Sequence, residues 1–80
     1  MRLDKFLKVS RLIKRRPIAK MMADNGRIKI NQKTAKASSV ISVGDILELQ
    51  FGVNQVKVEV LQLSESSKKE DAKYMFKILE

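Results

Sequence analysis

Residues 10–20, SRLIKRRPIAK, set Arg11, Lys14, Arg15, Arg16 and Lys20 around Pro17 with no acid among them. Proline's fixed φ and missing N–H suit the first turn of a helix and no later one, so Pro17 marks a helix start. Arg15 and Arg16 then sit at the positive end of a helix macrodipole, where cations are disfavoured by a few tenths of a kcal/mol or more. Stability alone would place Asp or Ser there. A phosphate held by the first-turn N–H groups reverses that preference and uses both arginines as donors. Arginine suits the task, because its planar fork bridges two phosphate oxygens or stacks on a base. Arg11 and Lys14, on the connection from the preceding helix, flank the same site.

Other chemistries find little support. The chain has no histidine and no cysteine, which removes imidazole bases, thiol nucleophiles, disulfides and zinc sites of the usual kind. Catalysis would fall to carboxylates or lysine, and Asp4, Asp24, Asp45 and Glu48 show no convergent pairing. Gly26 and Gly44-Asp45 are turn chemistry, since no glycine-rich spacing accompanies them. The expectation is a protein that is not an enzyme and needs neither cofactor nor metal.

The formal net charge is +8, and its distribution says more than its size. Residues 1–36 carry 12 Lys/Arg against 2 Asp/Glu, whereas residues 37–80 carry 5 against 7. A charge kept for solubility would be spread over the surface, but one half carries all of it here, as a polyanion-binding face requires. Phe6, Phe51, Tyr74 and Phe76 are the aromatics, and most fit core stripes. Without a row of exposed rings to stack splayed bases, the cationic face suits the backbone and shape of folded RNA. Taken singly, Lys5, Lys8, Lys20 and Lys36 are solvated surface, and only clustering lifts them above that. Asp4 reads as a first-turn acid favoured by the helix dipole, or a partner of Arg2 or Lys8.

Periodicity supplies the elements. Leu3, Phe6, Leu7, Ser10 and Ile13 form one helical stripe over residues 2–13, with the helix ending near Ser10. A second helix runs over about 16–25, with Ile18, Met21, Met22 and Asn25 on one face, Met21 and Met22 as core filler, and Gly26 as left-handed cap. Arg27 to Ile30 then alternates cation and isoleucine as a short strand, and Asn31-Gln32-Lys33 is a turn. Residues 33–42 are a weakly patterned connection, closed by a turn at Val43-Gly44-Asp45. Leu47, Leu49 and Phe51 alternate, turn near Gly52 to Asn54, and pair with Val56, Val58 and Val60 as a hairpin. A helical turn over 67–73 precedes a last strand in which Tyr74, Phe76 and Ile78 alternate with Met75, Lys77 and Leu79. Helices followed by strands predict an α+β fold, two N-terminal helices on a small, mostly antiparallel sheet. Eighty residues allow a single domain over 1–80 of modest intrinsic stability. No apolar run is long enough to span a bilayer and no signal-peptide core follows the N-terminus, so the expected partners include no membrane and the expected location is cytoplasmic.

Five separated pieces, RLDKFL at 2–7, SRLIKRR at 10–16, the alanine at 19, NGRIKIN at 25–31 and GD at 44–45, resemble in order and spacing the RNA-binding domain of ribosomal protein S-four, the alpha-L motif. The resemblance covers roughly 1–60 as the RNA-binding core and leaves 61–80 as an extension completing the sheet. It is strongest to the small single-domain members of bacterial ribosome-associated quality control. The heat-shock protein fifteen branch is similar but carries a longer basic C-terminal extension. This resemblance implies a monomeric factor, ribosome-associated, that binds large-subunit rRNA and peptidyl-tRNA on the split large ribosomal subunit. It further implies support for template-free alanine tailing of stalled chains by an RqcH-type tailing factor. The alternative it leaves is ribosome recycling or large-subunit assembly. By the family pattern Arg2, Arg11 and Arg16 contact RNA, and with the cluster above the candidate RNA-binding set is Arg2, Lys5, Lys8, Arg11, Lys14, Arg15, Arg16 and Lys20. Gln32 stands where many members have glycine, and Pro17 where others have ordinary helix formers.

Two rivals remain at the level of sequence. The same module accompanies catalytic domains in pseudouridine synthases and tRNA synthetases, although Met1 and the C-terminus lead us to expect a whole chain. A DNA-binding module is the other, with the second helix in a major groove.

Overall fold

The computed structural model describes residues 1–65 and 72–79. Two helices, α1 (Leu3–Val9) and α2 (Arg16–Asp24), precede five strands, β1 (Ile28–Ile30), β2 (Lys33–Thr34), β3 (Ile46–Phe51), β4 (Asn54–Val60) and β5 (Phe76–Leu79). The strands form one antiparallel sheet in the order β2-β1-β3-β4-β5. The α+β arrangement read from the sequence is the one observed.

Strand register sorts the side chains. Ile28 lies opposite Leu49, and Leu47 opposite Val58, so these residues share the inner face and are buried. Against them pack Leu3, Phe6 and Leu7 of α1 and Ala19, Met22 and Ala23 of α2. Each fully buried Leu or Phe contributes about 1.5–3 kcal/mol relative to exposure. The outer face carries a cross-strand row of Lys29, Glu48 and Lys57, whose alternating charges suit a solvated surface.

The helix ends explain how the N-terminal half is held. α1 has no side-chain cap; the amides of Leu3 and Asp4 instead donate to the carbonyls of Ser39 and Ala37 at 2.8 and 3.1 Å. A bridge between Arg2 and Val40 continues that contact. The connection expected to be weakly patterned is thus what anchors α1, and its Ala35, Ala37 and Ile41 are buried. α2 ends in a Schellman motif, with Gly26 at φ 75°, its N–H bonded to Ala23 and the Arg27 N–H to Met22. At the end of α1 the equivalent left-handed position, φ 63°, is held by Arg11.

The β1–β2 loop is a two-residue turn, Asn31-Gln32, with both φ positive at 50° and 72°. Only a type I′ turn matches that pattern between twisted strands, so Gln32 takes the left-handed conformation without a glycine's freedom. Asn31 also ties this turn to the Gly44-Asp45 turn: its Nδ2 donates to Asp45 Oδ1 at 3.1 Å and its Oδ1 accepts from the Ile46 N–H at 2.9 Å.

Several expectations need correction. On α2 the buried stripe is Ala19, Met22 and Ala23, while Ile18, Met21 and Asn25 face outward; Met21 is 53% exposed against 7% for Met22. The buried side of α2 is the one that packs with α1 and the core, and Ala19 and Ala23 occupy it with Met22, which leaves Ile18 and Met21 on the outer side. In the last strand Tyr74 and Ile78 are largely exposed and Met75 is buried, because β5 is an edge strand extending past the helical layer. Of the aromatics only Phe6 is fully buried; Phe51 and Tyr74 are exposed and Phe76 is intermediate. They lie apart in the chain and make no stacking row. The helical turn expected over 67–73 falls mostly outside the described residues.

Candidate nucleic-acid interface

The N-terminus of α2 carries no side-chain cap and no first-turn acid, and Pro17 stands in its first turn. The Arg15 carbonyl accepts from the Ile18 and Ala19 amides, which sets the helix start where Pro17 predicts it. Arg15 is exposed at the cap position and Arg16 opens the helix.

Arg16 does not simply extend into solvent. Its Nε lies 3.3 Å from Asp4 Oδ2 and its Nη2 3.4 Å from Oδ1. From the other side Arg2 reaches the same carboxylate, with Nε 3.3 Å from Oδ1 and Nη2 3.4 Å from Oδ2. The Lys5 amide donates to Oδ1 at 2.8 Å. Burial alone pushes the Asp4 carboxyl up, but the hydrogen bond and charge of Arg16, then the charge of Arg2 and the Lys5 amide, outweigh it and hold the group below its ordinary value of 3.8. The Asp4 side chain is 5% exposed, whereas those of Arg2 and Arg16 are 51% and 43% exposed. One buried anion thus holds two half-exposed guanidinium groups. Each spends two N–H edges on Asp4 and keeps the rest of its five for an outside acceptor.

Around this triad lies an open groove of about 430 Å³ lined by Arg2, Asp4, Arg16, Pro17 and Lys20. Lys20 is one helical turn beyond Arg16 and on the same side of α2. Three cations against one anion leave the groove positive, with donors arranged for phosphate oxygens.

Of the eight candidate residues, the structure brings Arg2, Arg16 and Lys20 together in that groove. Lys8, Arg11, Lys14 and Arg15 are exposed but outside its lining, and Lys5 is ion-paired with Glu65. Asp4 was expected to partner Arg2 or Lys8; it partners Arg2 and Arg16. Its role as the hub of the groove went unread in the sequence, although it is one of only two acids among the first 36 residues. Among the described residues no cluster of His, Cys, Asp and Glu forms a metal site, and no helix is long and apolar enough to cross a membrane.

Comparison with known proteins places this arrangement. Residues 1–47 match the S4 domain family. The chain is 58% identical over 79 residues to a Bacillus subtilis protein named RQC P-site tRNA stabilizing factor, covering 99% of this chain and 92% of the relative. It is 38% identical over 64 residues to the Heat shock protein 15 homolog of Haemophilus influenzae, covering 80% of this chain and 49% of that one. The solved structure of Vibrio cholerae Heat Shock Protein 15, described as trimeric, superposes with a TM-score of 0.91 at 25% identity, covering 99% of this chain and 81% of that chain. The chain therefore belongs to the S4 domain family, among relatives that carry the name RQC P-site tRNA stabilizing factor.

Proposed function

We propose that this chain is a non-catalytic RNA-binding factor of ribosome-associated quality control, which holds peptidyl-tRNA on the split large ribosomal subunit by contacting tRNA and large-subunit rRNA. The observation that carries the reading is the Asp4-centred groove, where two arginines are preset by a buried carboxylate and face outward beside Lys20. Backbone phosphate is the ligand that such forks fit, and preset donors lose little freedom on binding it. The 58% identity to a relative named for stabilising P-site tRNA supports the tRNA part. Support for alanine tailing by an RqcH-type factor follows from resemblance. Within the reading, residues 1–80 act as one monomeric cytoplasmic domain, with 1–60 as the RNA-binding core and 61–80 completing the sheet.

Arg11 adds to the site. It holds a left-handed backbone position where stability would select glycine or asparagine, and use of its exposed side chain on RNA would account for that cost. Lys5, Lys8, Lys14 and Arg15 widen the positive field around the groove.

The test is co-sedimentation of the chain with large subunits bearing peptidyl-tRNA. Affinity should fall by roughly 10³ or more between 50 and 200 mM salt if about six phosphates are contacted. A flat salt response, or no association with large subunits, rejects the reading. Recycling or assembly is the alternative that the same experiment separates. Immature precursor rRNA co-purifying with the chain, in place of subunits carrying peptidyl-tRNA, would select it.

A further inference from the structure

Four more cations, Arg27, Lys29, Lys33 and Lys36, fall in the β1–β2 hairpin and its flanks with no acid among residues 26–36, and all four are exposed. None takes part in an ion pair with an acid of the described residues. The register decides what they do. Ile30 faces Lys33 and Lys29 faces Thr34, and the Ala35 N–H donates to the Ile28 carbonyl at 2.9 Å. The paired register ends at Lys29–Thr34, and the Ala35–Ile28 bond brings the residues flanking it, Arg27 and Lys36, to the same end of the hairpin. Ile28 and Ala35 are buried, and Arg27 and Lys36 are exposed beside them.

Like charges brought to one end of a hairpin repel. Lys29 is relieved by Glu48, its cross-strand neighbour on β3. Arg27 has no such relief: its neighbour on that side is the neutral Gln50, whose N–H donates to the Arg27 carbonyl. The C-terminal end of α2 favours one cation close by, which accounts for Arg27 but not for a second cation at the same end of the hairpin. An anion shared between the two side chains accounts for both.

We propose that Arg27 and Lys36 form a second phosphate-binding subsite, which takes the RNA backbone at the end of α2 remote from the Asp4 groove. The proposal rests on the RNA-binding reading above and extends it to residues that reading does not use. From Arg16 to Asp24 the helix rises about 12 Å, whereas a nucleic-acid strand carries a phosphate for about every 3.4 Å of its axis. One phosphate cannot serve both ends of α2, and a stretch of three to four nucleotides, or two separate RNA segments, can.

The experiment compares the full chain with the R27Q/K36Q variant, titrated with purified large ribosomal subunits and with bulk tRNA at several salt concentrations. The variant should lower the steepness of log affinity against log salt by about 0.7–0.9 on at least one of the two RNAs, the contribution of the one shared phosphate contact. Its thermal midpoint should be unchanged or higher, because a repulsive pair is removed. The charge-preserving swap R27K/K36R should keep the original steepness. Unchanged steepness on both RNAs overturns the proposal while leaving the Asp4 groove intact. So does weaker subunit binding without a change in steepness, which would signify a contact to ribosomal protein. If the unsubstituted chain shows no salt-dependent binding to either RNA, the RNA-binding reading itself fails and this subsite fails with it.

Discussion

The Arg16 guanidinium and the Asp4 carboxylate, 12 residues apart in the chain, meet with Nε 3.3 Å from Oδ2. The pair joins the first turn of α1 to the first turn of α2 and presents arginine at the surface in a set orientation. From sequence alone, replacing Arg16 by Ala would cost binding and leave stability untouched. The contact changes that expectation. Arg16→Ala should abolish most large-subunit association and also destabilise the fold by about 1 kcal/mol, since a charged hydrogen bond to a buried carboxylate is lost while Arg2 and the Lys5 amide remain. A fall of about 4–8 °C in thermal midpoint checks the second part.

Replacing Asp4 by Asn separates charge from geometry. The groove becomes more positive, so affinity for a featureless polyanion such as heparin should rise. Affinity for large subunits should fall, because Arg2 and Arg16 lose the anion that orients them. Parallel gains on both ligands would show that net charge alone governs binding.

The same carboxylate sets an acid limit. Its folded-state value lies below 3.8, so its contribution to stability is present above the unfolded value and is lost as pH falls through the lower folded one. Unfolding free energy of the full chain should therefore decline as pH drops below about 4. Asp4→Asn should start lower and decline less over that interval, as followed by denaturant titration at each pH.

Two left-handed residues predict opposite consequences for function. Gln32→Gly should stabilise by about 0.5–1 kcal/mol, because the type I′ turn needs positive φ at that position and glycine adopts it without steric cost. Its subunit affinity should be unchanged. Arg11→Gly should give a similar gain in stability with weaker subunit binding. Equal affinity for Arg11→Gly and the unsubstituted chain would remove Arg11 from the interface.

Met21 and Met22 test the corrected face of α2. Met22→Ala should cost about 2 kcal/mol or more, and Met21→Ala less than about 0.5 kcal/mol. Comparable losses would restore the stripe read from spacing.

Much of the fold was legible because local rules and global packing agree. The stripe Leu3, Phe6, Leu7, Ser10 and Ile13 is buried as its spacing requires. Pro17 and Gly26 mark both ends of α2, and β3 and β4 pair as a hairpin from Phe51–Asn54 to Ile46–Glu59. Less was legible where sequence spacing admits two faces. Ile18 and Met21 are the immediate chain neighbours of Ala19 and Met22, about 100° away around the helix, and hydrophobicity alone favours the larger side chains. Close approach of α2 to its neighbours decided for the smaller ones.

The sequence by itself determined that residues 1–36 are cationic, that the chain has neither histidine nor cysteine, and that helices precede an antiparallel sheet. These follow from composition and period, which need no neighbours in space. Only the tertiary structure decided which cations act together. The connection at 37–41 takes the first amides of α1, which aims Asp4 inward between Arg2 and Arg16 and leaves Lys20 beside them. Charges along a chain add regardless of order, but a fork for phosphate depends on distances of a few ångströms between residues that only folding brings together.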